Sequence, residues 1–385
     1  LLRQDFSIQQ TAPTTFLPSI PHPTADLSSP LSQPDPTLPN LLHEDPFYLT
    51  ILPQKLLPLG FKPKGSFHHA TIGKPDNLHP FSNWSEISTW IGQCSVAVAT
   101  IQFGKYESMA PDMATKMEER VGKDGTPEFW IFLRDNVFWA PLEKRFFGTD
   151  FTLAPHFFER HQVTAEDFKF YFDAVINPYN QESGALARRT LYEDIEEIRV
   201  IDKLTFVVRW KTKTFTEGDK TVKKTKYIAK QLTGSLQPLA SFVYKYFPDG
   251  KKINEDDASP DSYQKNAAWA QNFSQHWAKN SIPSCGAWLF DGLTDRQIQF
   301  RRNPHFYRPL AALADKMVYA FKNSPDAMWQ DFKGNALDSY SLQPGQQIEL
   351  DEFLNAPQYI KQADANASIN RLDYLTRVYF YLGWN

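Results

Sequence analysis

The chain has 385 residues, 42% hydrophobic and 22% charged, with 41 basic against 44 acidic residues and a net charge of −3. That length suits two or three domains, and the composition is that of a packed globular protein. The charge balance excludes a whole-molecule pull toward nucleic acid or a membrane surface. Aromatics reach 15%, an excess that suits a cleft stacking on varied ligands as well as a core. Cys94 and Cys285 have no CxxC or Cys/His finger spacing, which argues against structural zinc. A disulfide and two buried thiols both stay open. No apolar run approaches the ~20 residues of a membrane span. The first residue is Leu1, so the chain is expected to be a mature or trimmed product.

Residues 1 to about 45 are rich in Pro, Ser and Thr, a composition that favours neither helix nor sheet and predicts a flexible, extended spacer. "GSFHHATIG" predicts a strand, followed by the Pro/Asn loop "KPDNLHPFSNW". Ile87, Trp90, Ile91, Cys94 and Val98 fall at helical spacing. "EFWIFLRDNVFW" predicts a buried strand, a turn at Arg134-Asp135-Asn136 and a second strand. From "IEEIRVIDKL" to "KKTKYIAK" three strands alternate with turns, and the lysines between Lys211 and Lys230 fit an exposed, protected edge. "SPDSYQKNAAWAQNFSQHWAKN" predicts a helix, and "IPSCGAWLFDGLTDRQIQFRRNPHFY" a hairpin turning near Asp291-Gly292. "ADKMVYAF" predicts a strand. "SPDAMWQDFKG" predicts a helix capped by Ser324 and closed by Gly334, and "ALDSYSL" and "RVYFYLGW" two further strands. Strands and helices mix without strict βαβ alternation, which predicts mixed sheets with long excursions.

The segment "VTAEDFKFYFDAVINP" (163–178) raises the question of a paired-carboxylate site at Glu166 and Asp167. Thr164 is a good N-cap, Asp167 sits where its side chain can return a bond to the cap, and both acids lie where the helix dipole favours them. Neighbouring helical residues point about 100° apart, so the two acids do not share a reacting group. Ala165, Phe168, Phe172 and Val175 make one apolar stripe. Removing either acid is expected to cost about 0.5–2 kcal/mol. His68, His69 and His79 are a weak metal candidate, because no carboxylate stands at ligand spacing. There is no GxSxG, SxxK, P-loop or GxGxxG.

Three ordered segments resemble the family 5 extracellular solute-binding proteins. They are "GSFHHATIGKPDNLHPFSNW", "PDMATKMEERVGKDGTPEFWIFLRDNVFWAP" followed by "VTAEDFKFYFDAVINP", and "SCGAWLFDGLTDRQIQFRRNPHFY". By this resemblance the second of these blocks opens with an Ala-containing helix, before a strand ending Leu-Arg-Asp-x-Val-x-Trp. Two departures stand out: the extra chain between Trp139 and Val163, and the end of the sequence at "YLGWN", where the family continues into a second lobe.

The resemblance implies an α/β, periplasmic-binding-protein-like (type II) lobe with a mixed sheet plus an outer α/β domain, ending before the opposing lobe. Residues 1–60 form the linker, 61–103 and 284–385 the first lobe, and 104–283 the outer domain. It implies no enzyme, no cofactor and no bound metal. The expected role is capture of an oligopeptide or other small solute for an ABC-importer permease, by an extracytoplasmic monomer without nucleic-acid contacts. The membrane is touched only through an N-terminal anchor. The implied ligand contacts are Asn83, Trp84, Ser85, Glu86, Tyr340, Ser341, Leu342, Gln343, Trp384 and Asn385. Two rival readings are a secreted metal-dependent hydrolase using His68, His69 and His79, and a scaffold or adhesion protein on the same fold.

Overall fold

The computed structural model describes residues 31–82, 85–101, 108–148, 152–217, 220–357 and Ile369. The chain divides into one compact unit over 26–340 and a second made of 1–25 and 341–385.

In chain order the first unit holds α1 (Leu52–Leu56), β1 (Ser66–Ile72), α2 (Ser85–Cys94), β2 (Ala99–Ile101), β3 (Met109–Pro111), β4 (Ala114–Val121), β5 (Pro127–Leu133), β6 (Phe138–Trp139), β7 (His161–Gln162), α3 (Ala165–Ile176) and α4 (Ser183–Tyr192). It continues with β8 (Ile195–Asp202), β9 (Thr205–Trp210), β10 (Lys213–Glu217), β11 (Lys220–Lys224), α5 (Ala229–Gly234), α6 (Ser241–Tyr244), α7 (Ala267–Ser274), β12 (Trp288–Leu293), β13 (Gln297–Arg302), β14 (Lys316–Lys322) and α8 (Pro325–Lys333). The second unit contributes α9 (Gln347–Asn355).

Two four-stranded sheets organise the first unit. One has the order β1-β14-β13-β12, with β1 and β14 parallel and the other pairs antiparallel. Helix α2 packs against it through Ile87, Trp90 and Cys94, which share a core with Phe290, Ile298, Phe300 and Met317. The other sheet, β4-β5-β9-β8, is antiparallel throughout. Its inner strands are nearly all buried, as strands covered on both faces must be.

Helix α3 lies in this second core. The N-cap Thr164 and Asp167 form the predicted capping box, and Asn177 ends the helix. The predicted single stripe is too narrow, because ten of its residues from Ala165 to Val175 are buried. Phe168 stacks on Phe206 with ring centroids 5.3 Å apart, and Phe170 meets Tyr263 and Trp269. Each such buried ring contributes about 1.5–3 kcal/mol. The polar members are paired: Lys169 Nζ reaches Asp173 Oδ2 at 2.6 Å, one helical turn on. Asp167 does more than cap. Its carboxylate accepts from Thr164 N–H (2.9 Å), Trp139 Nε1–H (3.3 Å), Ser241 N–H (3.1 Å) and Ser241 Oγ–H (2.6 Å), so it ties α3 to β6 and α6. Glu166 pairs with Lys245 at 2.6 Å and is half exposed.

Several expectations are corrected. Residues 114–121 are a strand, not a helix: Met117 and Glu118 are buried, and the segment pairs with β5 through a turn at Gly122–Thr126. The helix α2 stops at Cys94, and Val98 enters the other core. The β12–β13 hairpin turns at Thr294–Arg296, whereas Gly292, at φ 136°, marks a bulge that only glycine takes easily. The edge predicted between Lys211 and Lys230 is a separate two-stranded ribbon, β10–β11, held by Lys223 Nζ donating to Asp124 O at 2.8 Å. "ALDSYSL" forms no strand; Asp338 and Ser339 bond to β1, the Asp338 N–H donating to His68 O at 2.9 Å and Ser339 Oγ lying 2.7 Å from His69 Nδ1. "RVYFYLGW" lies outside the described residues.

The proline-rich spacer is also different where it is described. Residues 31–43 run along the open edge of β4: Leu41 N–H donates to Met117 O (2.8 Å) and His43 N–H to Met109 O (2.7 Å). Asn40 Oδ1 accepts from Met117 N–H, and Leu42 is buried. Lys116 Nζ and Arg120 reach back to the carbonyls of Asp35 and Gln33, and Ser32 N–H donates to Asp202 Oδ2 at 2.7 Å. Proline lacks a donor, but the sheet edge supplies donors and acceptors of its own, so the segment docks without regular structure.

Candidate functional site

The parallel pair β1–β14 is the feature that can build a ligand surface. Both strands lead into helices, β1 through the loop after Ile72 into α2, and β14 through Asn323-Ser324 into α8. In open α/β sheets, ligands sit outside the carboxyl ends of such strands. Gly73, at φ 76°, makes the turn off β1, its N–H donating to Lys322 O at 2.9 Å. Ser324 caps α8 as predicted, its Oγ accepting from Ala327 N–H.

Of the residues assigned to ligand contact, Asn83, Trp84, Trp384 and Asn385 lie outside the described residues. Ser85 opens α2, and Glu86 stands half-buried in its first turn. That places Ser85 and Glu86 on the carboxyl side of β1. Tyr340 packs its ring on Trp329 and Phe332 of α8, with centroids 5.3 and 5.9 Å away. Its hydroxyl donates to Pro325 O at 3.4 Å. Ser341, Leu342 and Gln343 belong to the second unit, where Gln343 caps the short 3-10 turn Pro344–Gln346.

The three histidines of the hydrolase reading do not converge. His68 Nδ1 lies 3.2 Å from Asp338 Oδ2, which also accepts the His68 N–H. His69 stacks on Tyr319 and shares a hydrogen bond with Ser339 Oγ at 2.7 Å. His79 is buried against Phe273, where Nε2–H donates to Phe273 O (3.0 Å) and Nδ1 accepts from Phe81 N–H (3.1 Å). Burial holds its pKa below the usual histidine value. His276 repeats the arrangement, donating to Tyr246 O and accepting from Ala278 N–H, and burial pushes it down to about 3. Among the described residues no group of three His, Cys, Asp or Glu is placed to hold a metal ion.

Cys94 and Cys285 are both free and buried. Their backbones touch, Cys285 N–H donating to Cys94 O at 2.7 Å, yet the side chains enter different cores. Burial raises both thiols, Cys94 to about 12, so neither is a ready nucleophile. Among the described residues, no helix is long and apolar enough to cross a membrane.

Sequence reasoning missed the buried polar hub at Asp167 and the docked 31–43 segment. The hub's partners Trp139 and Ser241 lie 28 and 74 residues away, beyond the reach of any local pattern.

No curated protein matches the sequence. Among solved structures, the chain is similar to the ABC transporter-associated periplasmic binding protein DppA from Helicobacter pylori, in complex with the peptide STSA. That match has 13% identity and a TM-score of 0.51, covering 77% of this chain and 50% of that one. It is also similar to the oligopeptide-binding protein AppA from Bacillus subtilis, in complex with a nonapeptide. There the identity is 12% and the TM-score 0.51, over 76% of this chain and 47% of that one. At these identities the likeness shows the fold, a mixed α/β periplasmic-binding-protein-like architecture. The chain spans about half the length of these proteins. The family described as "Bacterial extracellular solute-binding proteins, family 5 Middle" matches residues 108–377. A match over more than half of the sequence assigns the chain to the family 5 bacterial extracellular solute-binding proteins.

Proposed function

We propose that the protein captures a peptide, or a related small solute, outside the cytoplasmic membrane and delivers it to an ABC-importer permease. The observation that carries this reading is the family match, joined to two fold relatives solved with peptides bound. No covalent chemistry is involved. Main-chain groups of the protein pair with those of the ligand, and wet pockets accept varied side chains. Residues 61–103 with 284–385 form the first lobe, and 104–283 form the outer domain. This division is supported by the strands of the mixed sheet falling within 66–72 and 288–322, and those of the antiparallel sheet within 114–210. The ligand contacts are Asn83–Glu86, Tyr340–Gln343, Trp384 and Asn385, with Glu86 the local partner for a ligand amine. The protein works as a monomer, and any membrane attachment is through an N-terminal anchor.

Calorimetric titration with pooled di- to pentapeptides tests the reading. Weak but saturable binding, with a Kd of about 1 mM, weakened further in Glu86→Gln and lost on acetylating the peptide amine, is the expected result. Absence of heat with every peptide pool would overturn peptide capture, and hydrolysis of any peptide would overturn the non-enzymatic reading.

A further inference from the structure

A cavity of about 280 Å³ lies beside the β12–β13 hairpin and shares no residue with the ligand contacts proposed above. Its walls come from the end of the β5–β6 turn, the start of the extra chain after Trp139, and the loop following β13. Val137, Phe138, Leu289 and Phe306 give it an apolar interior, and Asn136 and Asn303 add neutral polar groups. No carboxylate is among its lining residues, whereas two arginines are, Arg160 and Arg301.

The two arginines differ. Arg301 is already neutralised, donating to Glu143 at 2.7 Å and lying 3.6 Å from Asp291. Arg160 has no carboxylate partner among the described residues; its guanidinium carbon sits 4.1 Å from the centroid of the Phe138 ring. The side chain is largely open to solvent at the cavity mouth, and its partial burial, with no anion beside it, lowers its pKa. The planar guanidinium favours a carboxylate, which it can meet through two parallel hydrogen bonds. The volume is roughly twice the ~150 Å³ that accommodates benzene in an engineered apolar cavity, enough for one ring or a branched alkyl group plus its carboxylate.

We propose that this cavity is a second binding site, for a small carboxylate with an apolar body. The carboxylate pairs with Arg160, and an aryl or branched-alkyl group lies against Phe138, Leu289 and Phe306. The site is independent of the peptide-capture reading.

The test is titration of the protein with phenylacetate, with the neutral analogue 2-phenylethanol, and with Gly-Gly-Phe, followed by calorimetry. The arms separate a free acid from a peptide carboxy terminus. Phenylacetate is expected to bind with a Kd of about 1 mM or below. Binding should weaken at least about tenfold with 2-phenylethanol or in Arg160→Ala, and less in Arg160→Lys. Gly-Gly-Phe competing with phenylacetate in an Arg160-dependent way would assign the site to peptide carboxy termini and keep the carboxylate chemistry. Arg160 is exposed, so Arg160→Ala should fold, and an unchanged melting curve confirms it; if it does not fold, Arg160→Gln takes its place. A crystal soaked in 4-bromophenylacetate should show anomalous scattering between Phe138 and Leu289. The proposal fails if phenylacetate does not saturate by about 10 mM. It also fails if Arg160→Ala binds as well as the unmodified protein, or if the alcohol binds as well as the acid.

Discussion

Replacing Asp167 by alanine should destabilise the protein far more than replacing its neighbour Glu166. The carboxylate is 2% exposed and accepts from four donors. Its loss removes the helix cap, worth about 1 kcal/mol. It also leaves the Trp139 indole N–H and the Ser241 amide N–H buried without an acceptor, at about 1–3 kcal/mol each. The Ser241 hydroxyl can rotate to another partner, and relief of a buried charge offsets part of the total. The net cost is therefore about 3–5 kcal/mol, near the top of what single substitutions do. Glu166 makes one ion pair with its side chain 49% exposed, so its removal costs about 1 kcal/mol or less. Melting followed by circular dichroism should separate the two, at on the order of 2 °C per kcal/mol for a chain of this size. Asp167→Asn keeps the volume and one acceptor oxygen, and should fall between. Equal shifts for Asp167→Ala and Glu166→Ala would refute the hub and return Asp167 to an ordinary cap.

The buried histidines make the fold acid-sensitive. His79 and His276 each use Nδ1 as an acceptor, so both must be neutral in the folded state. With His276 held at about 3 and an unfolded value near 6.5, its contribution is complete above about pH 6.5 and is lost as pH falls toward 3, at up to about 1.4 kcal/mol per pH unit; burial lowers His79 in the same direction. Asp173, raised to about 6 by burial, works in the opposite sense, so the comparison is His276→Gln against unmodified protein between pH 7 and 5; parallel melting profiles would contradict this account. Gly286→Ala would place a methyl carbon 2.5 Å from Ser95 O and 2.7 Å from Gln93 O. Backbone must shift where the two sheets' cores meet, and urea unfolding should move to markedly lower midpoint; an unchanged midpoint would show that the site relaxes freely. Leu41→Pro removes the N–H that reaches Met117 O, and should raise both light scattering on heating and proteolysis near residue 41, with no change in either counting against an edge-covering role.

Local chemistry was legible in the sequence, and long-range placement was not. The Thr164–Asp167 box, the Ser324 cap and the β1 and β14 strands all follow from side-chain chemistry and periodicity within a few residues. The helix expected ahead of β5 came from the family resemblance alone, and pairing with β5 makes 114–121 a strand. The hairpin turn was placed at Asp291-Gly292 because glycine marks bulges as well as turns. Near the candidate site, the sequence predicts a helix from Glu86 after a loop, and the helix is found from Ser85. Tyr340 shows the limit: an aromatic in a cleft-lining motif, it spends its ring on Trp329 and Phe332. His79, weighed as a metal ligand, is held by backbone groups of Phe81 and Phe273, a use of histidine with no sequence signature.

The docked segment at 31–43 also bears on the order of synthesis. It is made before β4, the edge it covers, and its outermost bond, Ser32 to Asp202, spans 170 residues. At roughly 5–20 residues per second, the interval between those two ends is on the order of ten to thirty seconds. When β4 leaves the ribosome its cover has already been translated, while the final anchor at β8 is still to come. The guard therefore precedes the edge, and a growing chain need not present a bare strand to its neighbours.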